Sequence, residues 1–229
     1  MVGQVFAESL ATARKIPFVG VNHLAGHIAS VVLTTPSARP PFLSLLVSGG
    51  HSSLYRVKAW NDIELLCETG DDAVGEAFDK VAKLLGLPYP GGPQISRQAE
   101  QNSAQLMTFV KSPTKKDGFS YSGLKTAVLT YVNKEKQAGR EIDVPFVAAS
   151  FQHEAVMQLV DKCVAELQRT GMNTLCVCGG VAANKYLREK MKIACEAIGA
   201  EVHFPAMEFC TDNAAMIAAA AILGVKINE

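Results

Sequence analysis

Phe42-Leu43-Ser44-Leu45-Leu46-Val47-Ser48-Gly49-Gly50-His51, followed at once by Ser52-Ser53-Leu54-Tyr55-Arg56-Val57-Lys58, is the stretch that decides the fold. Two runs of strand length flank a glycine turn, which predicts a hairpin. Toward the carboxyl end strand and helix alternate: strand Thr174–Cys178, helix Ala183–Ile198, strand Glu201–Phe204, helix Asp212–Leu223. That alternation predicts α/β layers. Upstream of the hairpin the pattern is helix (Val2–Lys15), strand (Ile16–Val21) and helix (Asn22 to about Leu33), closed by a link holding Pro36, Pro40 and Pro41. The middle reads as helices Asp72–Leu85, Gln94–Val110, Ser122–Glu135 and the long Val144–Thr170, an inserted helical subdomain. The resulting division is 1–62 (α/β), 63–171 (mainly helical) and 172–229 (α/β). No internal repeat or low-complexity tract interrupts it.

With 229 residues and 48% hydrophobic content the chain can bury a substantial core, which excludes disorder. Twenty-two basic residues balance twenty-two acidic ones, so bulk charge predicts neither a nucleic-acid binder nor a membrane-surface protein. The Ala-rich run from Asn213 to Val225 is too short for a bilayer span, and the amino terminus has no basic stretch leading an apolar one. Six cysteines without C-x-x-C spacing read as buried, reduced side chains. These features together predict a cytoplasmic protein with no membrane partner.

His23 and His27 carry the sharpest chemical signal. Four residues apart on a helix, both imidazoles project from one face, which suits a metal ion. Two neutral imidazoles are an incomplete ligand set, and Asp212, at the head of the last helix, is the candidate carboxylate. A zincin peptidase would need a glutamate straight after the first histidine; this chain has Leu24 there. Ser48-Gly49-Gly50 and Gly179-Gly180 each follow an apolar strand, where glycine lets a phosphate or ribose approach backbone N–H groups. A nucleotide is the ligand these turns suit, although a Gly-Gly pair also simply makes a tight bend. Asn184 serves equally well as a first-turn helix residue or as an amide for a ribose or base. Asp79 belongs to an acidic face that solvent alone can explain, and Gly92 lies in rigid turn chemistry that can bring backbone close to a ligand.

Taken in order, Asn-His-Leu-Ala-Gly-His (22–27), Leu-Leu-Val-Ser-Gly-Gly-His (45–51), the run from Gly75 to Pro93, Phe-Ser-Tyr-Ser-Gly-Leu-Lys-Thr (119–126), Gly-Gly-Val-Ala-Ala-Asn (179–184) and Cys-Thr-Asp-Asn-Ala-Ala-Met-Ile (210–217) resemble the bacterial tRNA adenosine threonylcarbamoyltransferase family, once labelled glycoprotease. The resemblance runs from about residue 2 to the end. It implies an actin-like ATPase (ASKHA) fold and transfer of a threonylcarbamoyl group from threonylcarbamoyl-AMP to the adenosine next to the anticodon, in tRNAs reading codons that begin with A. Carried over by position, it implies a divalent iron or zinc ion on His23, His27 and Asp212. It also implies substrate contacts at Leu46, Val47, Ser48, Gly49, Gly50, Asp79, Gly92 and Asn184, with ATP or ADP able to occupy the same site. No side chain is singled out as a catalytic base. The implied partners are tRNA, a paralogous actin-like subunit and a small P-loop ATPase.

Against the family's pattern the chain lacks roughly the opening quarter, with the first phosphate loop and most of the first sheet, and stops short of the usual tail. Exposed sheet edges are then expected, with low solubility or activity unless a partner covers them. The competing expectation is an N-terminally truncated, non-catalytic actin-like nucleotide-binding subunit; a sugar or acetate kinase is disfavoured by the histidine pair. For RNA phosphates the candidates are Lys111, Lys115, Lys116, Lys185, Arg188, Lys190 and Lys192, which ordinary solvated helix surface also explains.

Overall fold

The computed structural model describes residues 2–109 and 118–228. Val110, Lys111, Lys115 and Lys116 lie outside them. Elements run α1 (Val2–Arg14), α2 (His23–Ala29), α3 (Val31–Thr34), β1 (Phe42–Val47), β2 (Ser52–Ala59), β3 (Asp62–Glu68), α4 (Val74–Leu84), α5 (Gly91–Ala99), α6 (Ser122–Gln137) and α7 (Val144–Thr170). Then follow β4 (Thr174–Cys178), a 3-10 turn (Gly180–Ala183), α8 (Lys185–Ala197), β5 (Glu201–His203), a second 3-10 turn (Met207–Phe209) and α9 (Ala214–Leu223).

One five-stranded sheet in the order β3-β2-β1-β4-β5 organises the chain. β1 and β2 form the expected antiparallel hairpin, with Val47 opposite Ser52. On its other side β1 pairs parallel with β4, Leu45 opposite Val177, and β4 pairs parallel with β5. β1 is buried at all six positions because both faces of the sheet are covered. Leu43, Leu45 and Val47 point into a core shared with α4 to α8, while Phe42 and Leu46 point into a second core built with α2, α3 and α9. The strand period of two thus assigns one helical layer to each face. The helices of 63–171 lie against the first face, and the segments before and after them meet in the same sheet.

Local chemistry explains the element ends. α7 starts where Asp143 accepts from Phe146 N–H at 3.0 Å and stops at Gly171, whose φ of 68° closes the helix in the left-handed region. The helix expected to continue to Val110 ends at Ala99 as α5: the Asn102 side chain accepts from Ala104 N–H (3.2 Å) and donates to Ala104 O (2.9 Å), substituting a local turn for the helical ladder. Ile16–Val21 forms no strand; it pairs with no described strand, and Ile16 and Val19 are exposed. Conversely, Asp62–Glu68 is a strand that the sequence reading left unassigned, and it adds to the hairpin's free edge. Among the described residues no helix is long and apolar enough to cross a membrane.

Candidate metal centre and nucleotide cleft

α2 exists because Asn22 caps it: the Asn22 Oδ1 accepts from Leu24 N–H (2.8 Å) and Ala25 N–H (3.3 Å). The helix lies on α9, and Gly26 permits the approach. A Cβ on Gly26 would stand 2.8 Å from Ile217 Cδ1 and 3.3 Å from Met216 Cγ. α9 is capped in turn by Asn213, whose Oδ1 accepts from Met216 N–H at 2.8 Å, and this fixes the residue just before the cap, Asp212. Asp212 Oδ1 therefore faces both imidazoles, 3.3 Å from His23 Nε2 and 3.1 Å from His27 Nε2. The His23 and His27 rings meet edge to face with centroids 4.8 Å apart.

This donor set fits a divalent ion. Bonds of about 2.0–2.1 Å in a tetrahedral shell put neighbouring ligand atoms about 3.3 Å apart, close to the two spacings observed, and the three ligand atoms lie within 4.8 Å of one another. His27 is 2% exposed, and burial pushes its pKa below the ordinary imidazole value, aided by the neighbouring charge of His23 and opposed by Asp212. Burial thus holds His27 in the neutral form that ligates metals. Its Nδ1 is buried without a hydrogen-bond partner, so the polar contact this ring makes is on the Nε2 side, facing Asp212.

β1 and β4 are parallel neighbours, so their two glycine turns come out side by side at the carboxyl end of the sheet, where open α/β sheets bind ligands. Gly179 has a φ of 92°, and a Cβ there would sit 2.3 Å from Val47 O; only glycine allows the strands to leave the sheet this closely. A cleft of about 970 Å³ opens beside the turns. Of the residues implied by the resemblance, Gly49, Asp79, Gly92 and Asn184 line it. Leu46 and Val47 are fully buried and do not line the cleft, while the Ser48 hydroxyl accepts from His51 N–H at 3.1 Å and, with Gly50, shapes the turn. Asp79 Oδ1 accepts from Gly91 N–H at 2.7 Å, pinning the start of α5 to the cleft wall.

Asn184 has a definite structural task. Its Oδ1 caps α8 through Leu187 N–H (2.9 Å), and its Nδ2 donates to Ser96 Oγ and Gln152 Oε1, both at 3.0 Å. Ser96 and Gln152 also line the cleft and were missed from sequence; the only available signal was a polar Gln152 inside the apolar stripe of α7. Asp71 belongs to the acidic face that solvent alone could explain, and the structure instead gives it a bonding task. It accepts from Ser120 Oγ, Ser122 Oγ and the N–H groups of Tyr121 and Ser122, clamping the start of α6, and although partial burial works against ionisation these bonds hold its pKa below the usual carboxylate value. Arg188, offered above for RNA phosphates, is spent internally: its Nε donates to Ala182 O (2.6 Å) and its Nη2 to Pro205 O (2.7 Å).

A mixed five-stranded sheet, parallel across β1, β4 and β5 and antiparallel across β1, β2 and β3, covered on both faces and with a cleft where β1 and β4 end, defines an α/β protein of the actin-like fold. Full-length HypF in a phosphate- and nucleotide-bound form superposes with a TM-score of 0.71 over 94% of this chain and 37% of that one, at 14% identity. Component A of the (R)-2-hydroxyglutaryl-CoA dehydratase of Acidaminococcus fermentans gives 0.54 over 93% and 71%, at 15% identity. At such identities the likeness speaks for the fold alone. Sequence is more specific: residues 1–219 match the family described as tRNA N6-adenosine threonylcarbamoyltransferase. Proteins of that name from Methylobacillus flagellatus and Nitrosospira multiformis are 49% and 46% identical, over 99% and 100% of this chain. The chain belongs to this family. It spans about two thirds, 67%, of the length of each of those two relatives.

Proposed function

We propose that the chain catalyses transfer of a threonylcarbamoyl group from threonylcarbamoyl-AMP to N6 of the adenosine next to the anticodon of a tRNA. In that reaction N6 forms a bond to the carbamoyl carbon, the bond from that carbon to the phosphate oxygen breaks, AMP leaves with the electron pair, and the N6 proton passes to solvent. The carrying observation is that His23, His27 and Asp212 bring ligand atoms within 4.8 Å of one another, in a chain that also opens a cleft of about 970 Å³ where β1 and β4 end and whose relatives bear that activity in their name.

His23, His27 and Asp212 would hold an iron or zinc ion, which supplies Lewis-acid polarisation and an anchor for the threonyl end of the donor. Gly49, Gly92 and Gly180 present backbone at the cleft wall, and with the Gly91 N–H taken by Asp79 and none on Pro93, the Gly92 N–H is the donor that the start of α5 has for a phosphate there. Asp79 keeps that turn in place, and the Asn184, Ser96 and Gln152 cluster ties α5 to α7 and to the start of α8. Rate comes from holding donor and amine in register rather than from a side-chain base. The same reading takes tRNA as substrate, and a paralogous actin-like subunit and a P-loop ATPase as partners.

Transfer to tRNA from supplied threonylcarbamoyl-AMP, with those partners present, tests it. Product should form with the parent chain and fall at least 100-fold with His27→Ala. A His27→Ala protein that holds no metal yet transfers normally refutes the metal's role, and a parent chain inactive with all partners present refutes the activity.

A further inference from the structure

The metal-binding side chains and the cleft are carried on opposite layers of the sheet, and one side chain bridges the segments that lead to them. Arg188 lies half-buried on the first turn of α8. Its Nε donates to Ala182 O at 2.6 Å, in the turn whose Gly180, Val181 and Ala183 line the cleft. Its Nη2 donates to Pro205 O at 2.7 Å and contacts Cys210 Sγ at 3.2 Å, while its guanidinium carbon sits 4.8 Å above the Phe204 ring. Residues 204–210 form the segment that places Met207 on the cleft wall and leads directly into Asp212. On the far side of that segment Ala206 N–H donates to Thr34 Oγ1 at 2.6 Å, at the end of the histidine layer. A continuous set of contacts therefore runs from the glycine turn through Arg188 and the 204–210 segment to Asp212.

We propose that Arg188 is a positioning residue that couples the two halves of the site, so that a nucleoside diphosphate in the cleft and a divalent cation at His23, His27 and Asp212 strengthen each other's binding. The inference rests on the reading that the cleft takes a nucleotide and the triad a metal. A planar fork suits this task because one rigid group satisfies two carbonyls that belong to different segments; the ammonium of lysine, a compact point charge, does not impose their relative placement. Movement of the Gly180–Ala183 turn onto a diphosphate shifts Ala182 O and, through the fork, the backbone that sets Asp212. Linkage requires the coupling to be reciprocal.

The test measures Co²⁺ affinity by its visible absorption with and without ADP, and ADP affinity by calorimetry with and without Co²⁺, in the full chain. In the parent each ligand should tighten the other by about 5-fold or more, the same factor in both directions. In Arg188→Lys each ligand should still bind alone, and the factor should fall to within about twofold of unity. A residue that merely supports the fold would change stability or both affinities and leave the factor in place. Thr34→Val, which cuts the same segment's tie to the histidine layer, should lower the factor too and keeps the question open to measurement if Arg188→Lys does not fold. A parent factor of unity, or a variant that keeps the parent factor, overturns the proposal. A parent that binds neither ADP nor Co²⁺ instead sinks the reading on which it rests.

Discussion

Asp212→Asn separates a metal carboxylate from a structural one. Asp212 is 75% exposed and its two contacts are to His23, itself 53% exposed, and to a His27 that burial keeps neutral. Exposed pairs of this kind contribute about 0–1 kcal/mol, and for a chain of this size about 1 kcal/mol moves Tm by about 2–4 °C. The metal-free variant should therefore melt within about 4 °C of the metal-free parent. Zn²⁺ at about 100 times its Kd stabilises the parent by about 2.7 kcal/mol, which is about 5–11 °C. Loss of one of three ligands costs at least the roughly 100-fold seen when groups supporting a ligand are removed. At the same Zn²⁺ concentration the variant then gains about 0.4 kcal/mol, or about 1–2 °C. The assay is thermal unfolding with chelator and with Zn²⁺, for both proteins. A metal-free variant that melts far below its parent would make Asp212 structural, and a Zn²⁺ shift that survives the substitution would remove it from the ligand set.

Gly179→Ala should cost about 2–5 kcal/mol, from a left-handed backbone plus overpacking against a carbonyl 2.3 Å away; a urea midpoint close to the parent's would show that the turn can relax. Asp71 has a depressed pKa, so the stability it contributes is present above the unfolded carboxyl value of about 3.9 and is lost as pH falls through the lower folded value. Asp71→Asn should accordingly be less stable at pH 7 and show a shallower fall in Tm below about pH 4; identical acid limbs for the two proteins would contradict this. All six cysteines are free and buried, with burial pushing Cys178 up to about 12 and Cys195 to about 11. The native protein should thus leave a thiol-reactive disulfide reagent at pH 8 almost untouched and release all six equivalents once unfolded in guanidinium; fast reaction in the native state would contradict the burial.

What could be read from the residues was what local rules determine. α7 was legible from end to end because its boundaries are set by Asp143 and Gly171, within the helix's own reach. The hairpin and the closing strand-helix alternation were legible for the same reason. Ile16–Val21 has the composition of a strand and no neighbour to make it one, since a strand is defined by its partner. Asp62–Glu68 was obscured because its single-sided burial leaves Glu64 and Leu65 partly outside and dilutes the apolar signal. At the site, the i, i+4 spacing of His23 and His27 announces a shared face, but their meeting with Asp212 depends on α2 lying on α9, a packing contact licensed by Gly26. Arg188 and Asn184 show the limit most clearly: composition placed one on an RNA face and left the other undecided, whereas both are fastened inward by bonds to residues distant in the chain.

The sheet explains why these two half-sites have to be joined at all. Its alternation sends α2, α3 and α9 to one face and α4 to α8 to the other, so the elements carrying the proposed metal ligands and most of the cleft belong to different hydrophobic cores. On the proposed mechanism, a shift of about 1 Å between the two layers would misplace the carbamoyl carbon relative to the ion that the three residues would hold. Among the described residues two stretches at the strand ends link the layers. There the 48–51 turn brings His51 close enough for its charge to weigh on His27, and the 204–212 segment reaches from the cleft wall at Met207 to Asp212. On the proposed mechanism, precision in the reaction would thereby be set by two short stretches of irregular backbone rather than by either core. It follows that stabilising substitutions inside one core should raise Tm without improving transfer, while conservative changes in these two stretches should lower transfer with little change in Tm.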